Sequence, residues 1–475
     1  MRTILTISNN TLFFYYLASN LAYLLLLIVA LLSSRAHHQH LASLRLERMK
    51  LSPITPPITL IAPAHNEEAS IVPSVRSLLR VDYPELEVIV VNDGSKDRTL
   101  AKLMEEFQLA PARMVYIPHI STAPVRGIYR SAREPRLIVV DKEAGGAKAD
   151  AVNAGLNAAA SPYTCVVDAD SMLESDALLR IMVKILEDPK RVIAAGGIVR
   201  VLNGCELIGG KIRRVRLPKS PIVIIQVVEY LRAFLIGREG WARGNMLTII
   251  SGAFGVFRRD VILRAGGYRA KTVGEDFDLV ARIHRMMRDE KKDYRITFVS
   301  DPVCWTEVPP TTRSLRRQRA RWQRGLTEVV WSTRDMLLRR KYGRIGWIAL
   351  PYMWIFECFA PLLELAGLAT IALAAILGVL SRTFFVEFMI YGYLFAAMIS
   401  VGAVLQEEVT YRRYNDWRDV ARLVLFCFLE QVPYRQMHLV WRLQGMWQYV
   451  HGDATWGRLE RVGLEAATPS GESRP

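Results

Sequence analysis

Tyr163-Thr164-Cys165-Val166-Val167-Asp168-Ala169-Asp170-Ser171 closes a short apolar run on two carboxylates one residue apart. Such a run reads as a buried strand, so the acids emerge at its carboxyl end, where open parallel α/β sheets bind their ligands. Two hard oxygen donors so placed suit Mg²⁺ or Mn²⁺, because Mg²⁺ is usually held by one or two carboxylates together with substrate phosphates. They also suit a solvated turn, since Asp is a common turn residue.

Outward from this stretch, from about residue 54 to 340, short apolar runs alternate with helical patterns, as in a parallel sheet covered by helices. Strands are expected at Ile58–Ala62, Val88–Val91, Met114–Ile117, Leu137–Val140, Ile193–Val199 and Phe254–Phe257. Helices are expected at Glu67–Leu79, Arg98–Phe107, Phe277–Met287 and, from its alanine content, Lys148–Ala159. A Pro- and Arg-rich stretch before Leu137 reads as a surface excursion. Three polar turns fall at strand ends: His65-Asn66-Glu67-Glu68, Asn92-Asp93-Gly94-Ser95 and Asp168-Ala169-Asp170.

The apolar fraction of 51% is concentrated near the N-terminus and after residue 345, the distribution of a membrane protein with a soluble middle. Thr11 to Ser33 carries no charge and exceeds the roughly 20 apolar residues a spanning helix needs. A signal peptide would have a shorter apolar core and more than the single preceding Arg2. Arg35, Arg45, Arg48 and Lys50 follow the run, so the positive-inside rule puts the next domain in the cytoplasm. Trp347 to Leu380, interrupted by Pro351 and Pro361, is expected to be an interfacial helix leading into one span centred on Leu362 to Leu380; Phe384 to Gln406 is a second span. Val420 to Val440 holds Glu430, Gln431, Pro433 and Arg435, and reads either as a channel-lining span or as a re-entrant segment. Trp441, Trp447, Tyr449 and Trp456 suit an interface, and the chain past Glu465 is expected to be disordered. The domains expected are therefore an anchor and linker at 1–53, a cytoplasmic domain at 54–340, membrane and interfacial helices at 341–450, and a tail at 451–475.

A net charge of +16 fits nucleic acid or an anionic membrane surface. The arginines from Arg313 to Arg344 lead directly into Ile345-Gly346-Trp347, where the apolar region begins, and no nucleic-acid motif accompanies them. Membrane lipid is the expected partner and nucleic acid is not. Five scattered cysteines, with no CxxC pair, suggest no disulfide framework, and the odd number fits a reducing compartment.

Six motifs in order resemble the family 2 glycosyltransferases, specifically the membrane-embedded processive polysaccharide synthases. Pro63-Ala64-His65-Asn66-Glu67-Glu68 matches P-A-x-N-E-E, and Asn92 to Thr99 matches D-D-G-S-x-D-x-T with Asn in the first place. Gly145 to Gly155 resembles G-G-K-A-x-A-L-N-x-G with Ala147 as an extra residue. Asp168-Ala169-Asp170 is the D-x-D, Gly274-Glu275-Asp276 the (T/G)-E-D, and Gln318-Arg319-Ala320-Arg321-Trp322 the Q-(Q/R)-x-R-W of processive members.

The resemblance implies a Rossmann-like glycosyltransferase A-type α/β domain with flanking transmembrane helices, in the inner membrane. It implies inverting transfer of a sugar from a UDP-sugar donor to a growing β-linked polysaccharide, with export through the membrane and room for accessory export subunits. Donor-binding roles fall on Ala64, Glu67, Asp93, Lys148, Asp168 and Arg321. Asp93 would accept hydrogen bonds from the base or ribose, and Lys148 would offer an ammonium to the diphosphate. Asp170, with Asp168, would hold Mg²⁺ or Mn²⁺. Asp276 would be the base, favoured as an anion by its helix N-terminus, a position that Glu275 and Asp278 share. Gly252 and Phe254, in a small, glycine-rich loop, and Gln318 and Trp322 would receive the acceptor. Two alternatives have different signatures: a transferase that adds one sugar to a lipid or glycan, and a silent subunit that senses a nucleotide.

Overall fold

The computed structural model describes residues 2–43, 46–169, 171–208 and 211–452. They fall into two compact units, one of 37–219 and 247–308, the other of 2–36, 220–246 and 309–452.

The first unit is built on strands β1 (Ile58–Ala64), β2 (Leu86–Asp93), β3 (Leu109–Pro111), β4 (Val125–Ser131), β5 (Leu137–Lys142), β6 (Tyr163–Val167), β7 (Ser171–Leu173), β8 (Val192–Val201), β9 (Glu206–Ile208), β10 (Lys211–Arg214), β11 (Phe254–Arg258) and β12 (Arg295–Thr306). Ten of them form one mixed sheet in the order β3-β4-β5-β2-β1-β6-β11-β8-β12-β7, while β9 and β10 pair as a hairpin. Neighbours β5, β2, β1 and β6 are parallel, so their carboxyl ends lie on one edge. β11 runs antiparallel to both β6 and β8. Strands β5, β6 and β8 are buried throughout, as expected where a sheet is covered on both faces.

The helices follow from their apolar faces. Ile71–Leu79 buries Ile71, Val75, Leu78 and Leu79 at helical spacing. Lys148–Ala158 is buried nearly all round because its residues are small: a methyl group on Gly155 would lie 2.4 Å from Ile61 Cγ2. The expected strand at Met114–Ile117 does not form; Val115 and Ile117 are exposed there. The sheet is extended instead by β4, inside the supposed surface excursion, which pairs antiparallel with β5. Its Arg126 and Arg130 sit on a strand near the sheet's margin, where charge discourages pairing with another chain, and that polar pattern hid it from a search for apolar runs.

In the second unit, the N-terminal helix Arg2–Ser43 contains the apolar span Thr11–Ser33, and Arg382–Thr410 contains another at Phe385–Thr410. Ile345–Cys358 and Ala360–Ile376 form a pair bent by 47°, with Pro361 in the first turn of the second member. Among the described residues, then, two helices are long and apolar enough to cross a membrane, or three if the bent pair is one span. Val420–Val440 is not one helix: Trp417–Leu429 and Arg435–Val450 flank a break at Val432, next to Pro433, which has no backbone N–H to give. Several polar groups inside the unit are paired. Arg232 donates to Ser400 and Glu430, and Arg442 donates to Gln323 and to the Glu357 carbonyl. Trp456 and the chain past Glu465 lie outside the described residues.

His284, fully buried on the Glu275–Asp289 helix, is tied by one ring nitrogen to Tyr294 Oη (2.7 Å) and by the other to the Leu247 carbonyl (2.8 Å). Burial pushes its pKa down to about 4, so the folded state keeps it neutral. The unfolded chain takes up that proton at about pH 6.5, so stability is lost as pH falls from about 6.5 towards 4. Thermal unfolding followed over that window should show a component of roughly 3 kcal/mol that is absent from His284→Phe, whatever the overall stability of that variant.

Candidate active site

The turns after β1 and β2 are laced together. Asn66, in the left-handed region at φ 57°, donates its backbone N–H to Ser95 Oγ (3.0 Å) and accepts at Oδ1 from Lys96 N (2.8 Å). Glu68 N donates to Asp97 Oδ2 (3.1 Å), and Arg98 N donates to Glu68 Oε2 (3.0 Å). Burial works against the Asp97 carboxylate, but the Thr99 hydroxyl and the Thr99 and Glu68 amides outweigh it and hold its pKa below the ordinary range. Ala64 is the buried last residue of β1, in register with Asn92. Glu67 N donates to Thr99 Oγ1, and the Glu67 carboxylate accepts from Ser70 Oγ.

Asp93 is nearly buried and already held. Its Oδ1 accepts from Lys142 Nζ (2.5 Å) and Gly145 N (3.0 Å). Lys142 is in register with Asp93 on the neighbouring strand, has no exposed surface, and also pairs with Asp150 Oδ2 (2.5 Å). Neither Lys142 nor Asp150 was singled out from sequence. Their sequence signal is that Asp141-Lys142 ends an apolar strand two residues before a pair of glycines, a strand-end position like those of Asp93 and Asp168. From the same helix as Asp150, Asn153 accepts from Tyr268 N (2.8 Å) and donates to Tyr268 O (2.7 Å), and Asn157 does the same for Ile120 (3.0 and 2.8 Å).

A second cluster lies around Gly252. Lys148 Nζ donates to Asp168 Oδ1 and to the Gly252 carbonyl (3.0 Å), while Gly252 N donates to Asp276 Oδ2 (3.2 Å). Asp276 Oδ1 accepts from Phe277 N (2.8 Å) in the first turn of its helix. Four residues assigned by motif are thus linked, Lys148 and Asp276 through the Gly252 backbone and Asp168 through Lys148. Burial disfavours the Lys148 ammonium, but Asp168, Glu275 and Asp276 outweigh it and raise its pKa above that of an ordinary lysine. A Cβ on Gly252 would stand 3.4 Å from Lys148 Nζ and 3.8 Å from Asp276 Oδ2, so the missing side chain leaves the space between them open. The Asp168-Ala169 turn is pinned by Ser74 Oγ, which donates to the Ala169 carbonyl.

Phe254 corrects the expectation of an acceptor contact: its ring has no exposed surface and packs where a side chain on Gly197 would otherwise be. Alternation along β11 points it into the core. Asp170 lies outside the described residues. Among those described, no group of three or more His, Cys, Asp and Glu gathers to hold a metal. The donor set of Asp168, already drawing one cation, suits an ion that takes most of its ligands from water and a diphosphate. Gln318, Arg321 and Trp322 belong to the Thr312–Ser332 helix of the other unit. There Gln318 is buried, Trp322 is 46% exposed, and the Arg319 guanidinium lies 4.3 Å from the Trp322 ring centre. Arg319 itself pairs with Glu229.

A mixed sheet in this order, with acidic turns at the shared edge of its parallel strands, defines a glycosyltransferase A-type α/β domain. The chain is a family 2 glycosyltransferase: residues 59–263 match the model described as glycosyl transferase family 2, and residues 225–400 the one described as glycosyl transferase family group 2. It is 27% identical over 282 residues to poly-β-1,6-N-acetyl-D-glucosamine synthase of Staphylococcus epidermidis, covering 58% of this chain and 57% of that one. It is also 27% identical over 292 residues to the probable glycosyltransferase YdaM of Bacillus subtilis, covering 61% and 60%. The chain therefore spans less than two thirds of the length of these relatives. Among solved structures it is similar to the mannosyltransferase PcManGT from Pyrobaculum calidifontis, at 21% identity and a TM-score of 0.48, covering 86% of this chain and 99% of that one.

Gly145 tests the packing of the first cluster, because a Cβ there would fall 2.1 Å from Asp150 Oδ2, whereas one on Gly146 would meet nothing within 4 Å. Gly145→Ala should displace Asp150 from Lys142 and lower stability by about 1–3 kcal/mol. Comparison of its thermal midpoint with that of Gly146→Ala, which adds only the strain of a positive φ, separates the clash from the backbone effect.

Proposed function

We propose that the protein is a membrane-embedded inverting synthase that transfers a hexose from a UDP-sugar to a growing β-linked polysaccharide. The observation that carries this reading is the meeting of Lys148 and Asp276 on the backbone of Gly252, with Asp168 bonded to Lys148. Inversion by direct displacement asks for two things: a base on the acceptor side and cations on the leaving diphosphate. Asp276 supplies the carboxylate, fixed by two backbone N–H groups and favoured as an anion at the start of its helix. In the proposed reaction it takes the proton of the acceptor hydroxyl as that oxygen attacks the anomeric carbon, and the bond to the diphosphate breaks on the opposite face. Lys148, released from Asp168 towards the diphosphate, offsets the charge that develops there.

Mg²⁺ or Mn²⁺ held by Asp168, with Asp170, would neutralise the same leaving group when bound. Asp93, with both its bonds on Oδ1, offers Oδ2 to an N–H or O–H of the nucleoside. Ala64 and Glu67, beside it at the strand ends, line the same nucleotide pocket. Gly252 admits the acceptor sugar to the backbone, and the motif roles of Gln318 and Trp322 in acceptor binding and of Arg321 towards the diphosphate complete the reading. The half-exposed Trp322 ring suits stacking on a sugar. The relatives named as poly-β-1,6-N-acetyl-D-glucosamine synthases make UDP-N-acetylglucosamine the first donor to try, followed by UDP-glucose and UDP-glucuronate. The apolar helices support a location in the inner membrane, and the flanking basic residues support a cytoplasmic catalytic unit. Polymer leaves through the chain's own helices, alone or with accessory export subunits.

With purified protein in lipid nanodiscs, Asp276→Asn should lower kcat for UDP release by roughly 10²–10⁴-fold while UDP still binds; turnover at the wild-type rate would remove Asp276 as the base. Product length separates the synthase from the single-addition alternative. Long polymer from one donor is expected, and Trp322→Ala should shorten it. A wild-type product that stops at one added sugar excludes the processive reading.

A further inference from the structure

We infer that Lys142 is a positioning residue for nucleotide binding: it aims Asp93 at the nucleoside and couples that carboxylate to the Gly145–Lys148 turn. This rests on the proposed use of Asp93 in donor binding.

The geometry leaves Lys142 no other office. Its side chain has no exposed surface, so it cannot touch a ligand itself. An ammonium taken fully out of water requires anions and acceptors close by, and Lys142 has three: Asp93 Oδ1 at 2.5 Å, Asp150 Oδ2 at 2.5 Å and the Glu143 carbonyl at 2.6 Å. Two of them, Asp93 and the Glu143 carbonyl, accept hydrogen bonds from its N–H groups, and Asp150 completes the charge balance as an ion pair. The two carboxylates come from different motifs. Asp93 ends β2, and Asp150 lies in the first turn of the Lys148–Ala158 helix.

The consequences run in two directions. On the β2 side, Lys142 and Gly145 N together occupy Oδ1, which fixes the carboxylate plane and leaves Oδ2 as the outward oxygen. On the other side, Asp150 accepts from Ala123 N (3.2 Å) and forms an ion pair with Lys142, and its carboxylate fills the space beside Gly145. The turn carrying Lys148 is therefore clamped between a carboxylate that faces the nucleoside and a helix whose first residue reaches Asp168. Nucleoside recognition and placement of the Lys148 ammonium are set by one buried cation. Asp93 and Asp150 are also two like charges sharing that cation, so removal of Lys142 alone leaves both without compensation.

The test uses full-length protein in nanodiscs, with UDP binding followed by calorimetry and donor turnover by UDP release. Lys142→Met alone risks unfolding the domain, so the informative variant is Lys142→Met with Asp150→Asn, which removes one charge of each sign and leaves the net charge of the cluster unchanged. In the double variant, UDP affinity should fall and donor KM rise roughly tenfold, the scale of one hydrogen bond to a charged group. The kcat should fall by less than KM rises, because Lys142 bonds Asp93 directly but reaches Lys148 only through the intervening turn. Amide exchange over residues 143–148 should quicken. A folded double variant with wild-type UDP affinity and KM overturns the role of Lys142 while leaving the proposed function standing. Wild-type protein that binds no UDP overturns both.

Discussion

A lysine ammonium buried without water must be surrounded by acceptors, and at Lys142 that requirement fixes much of what lies around it. Parallel pairing of β2 with β5 brings Asp93 opposite Lys142, and the Lys148–Ala158 helix brings Asp150 from above the sheet edge. Neither carboxylate would be stable so deeply placed without the cation, nor the cation without them. The glycine at 145 follows from the same packing, since no side chain fits against the Asp150 carboxylate. Asn92, where the family motif has Asp, fits this charge pattern too: it donates to Asp141 (2.7 Å), and a second acid there would face a carboxylate.

The second cluster uses the backbone as its hub. Gly252 gives its N–H to Asp276 and its carbonyl to Lys148, so two side chains from distant parts of the chain are held by a residue with no side chain. The turn that precedes the Asp276 helix is held in turn by Asn153, which takes both backbone groups of Tyr268, and by Arg282, which donates to the Ala265 and Gly267 carbonyls. A Cβ on Gly267 would collide with Asn153 Oδ1 at 2.5 Å, which explains glycine at that position of positive φ. The base proposed for the reaction thus rests on a turn that the central helix secures.

The helical unit meets a different constraint. Its apolar helices carry Arg232, Glu430, Arg319 and Glu229 inward, and these form pairs rather than isolated charges. The Arg319 guanidinium serves two partners, Glu229 in an ion pair and the ring of Trp322. In this way two residues of one motif, three positions apart, are bound together before any ligand is considered.

The sequence by itself determined the α/β class, the parallel core strands, the apolar spans and the order of the acidic turns, because each depends on local periodicity and on residue types that chemistry restricts. It also marked Asp93, Lys148, Asp168 and Asp276, whose motifs lie at predicted strand and helix ends. It missed β4, because a polar strand near a sheet margin lacks the apolar run that announces a buried one, and it gave Phe254 an acceptor contact, because the surroundings of a side chain along β11 depend on the neighbouring strands. Only the tertiary structure decided that Lys142 and Asp150 belong with Asp93, and that Gly252 joins Lys148 to Asp276. Both are contacts between residues far apart in the chain, created by strand register and helix docking, and no local pattern records them.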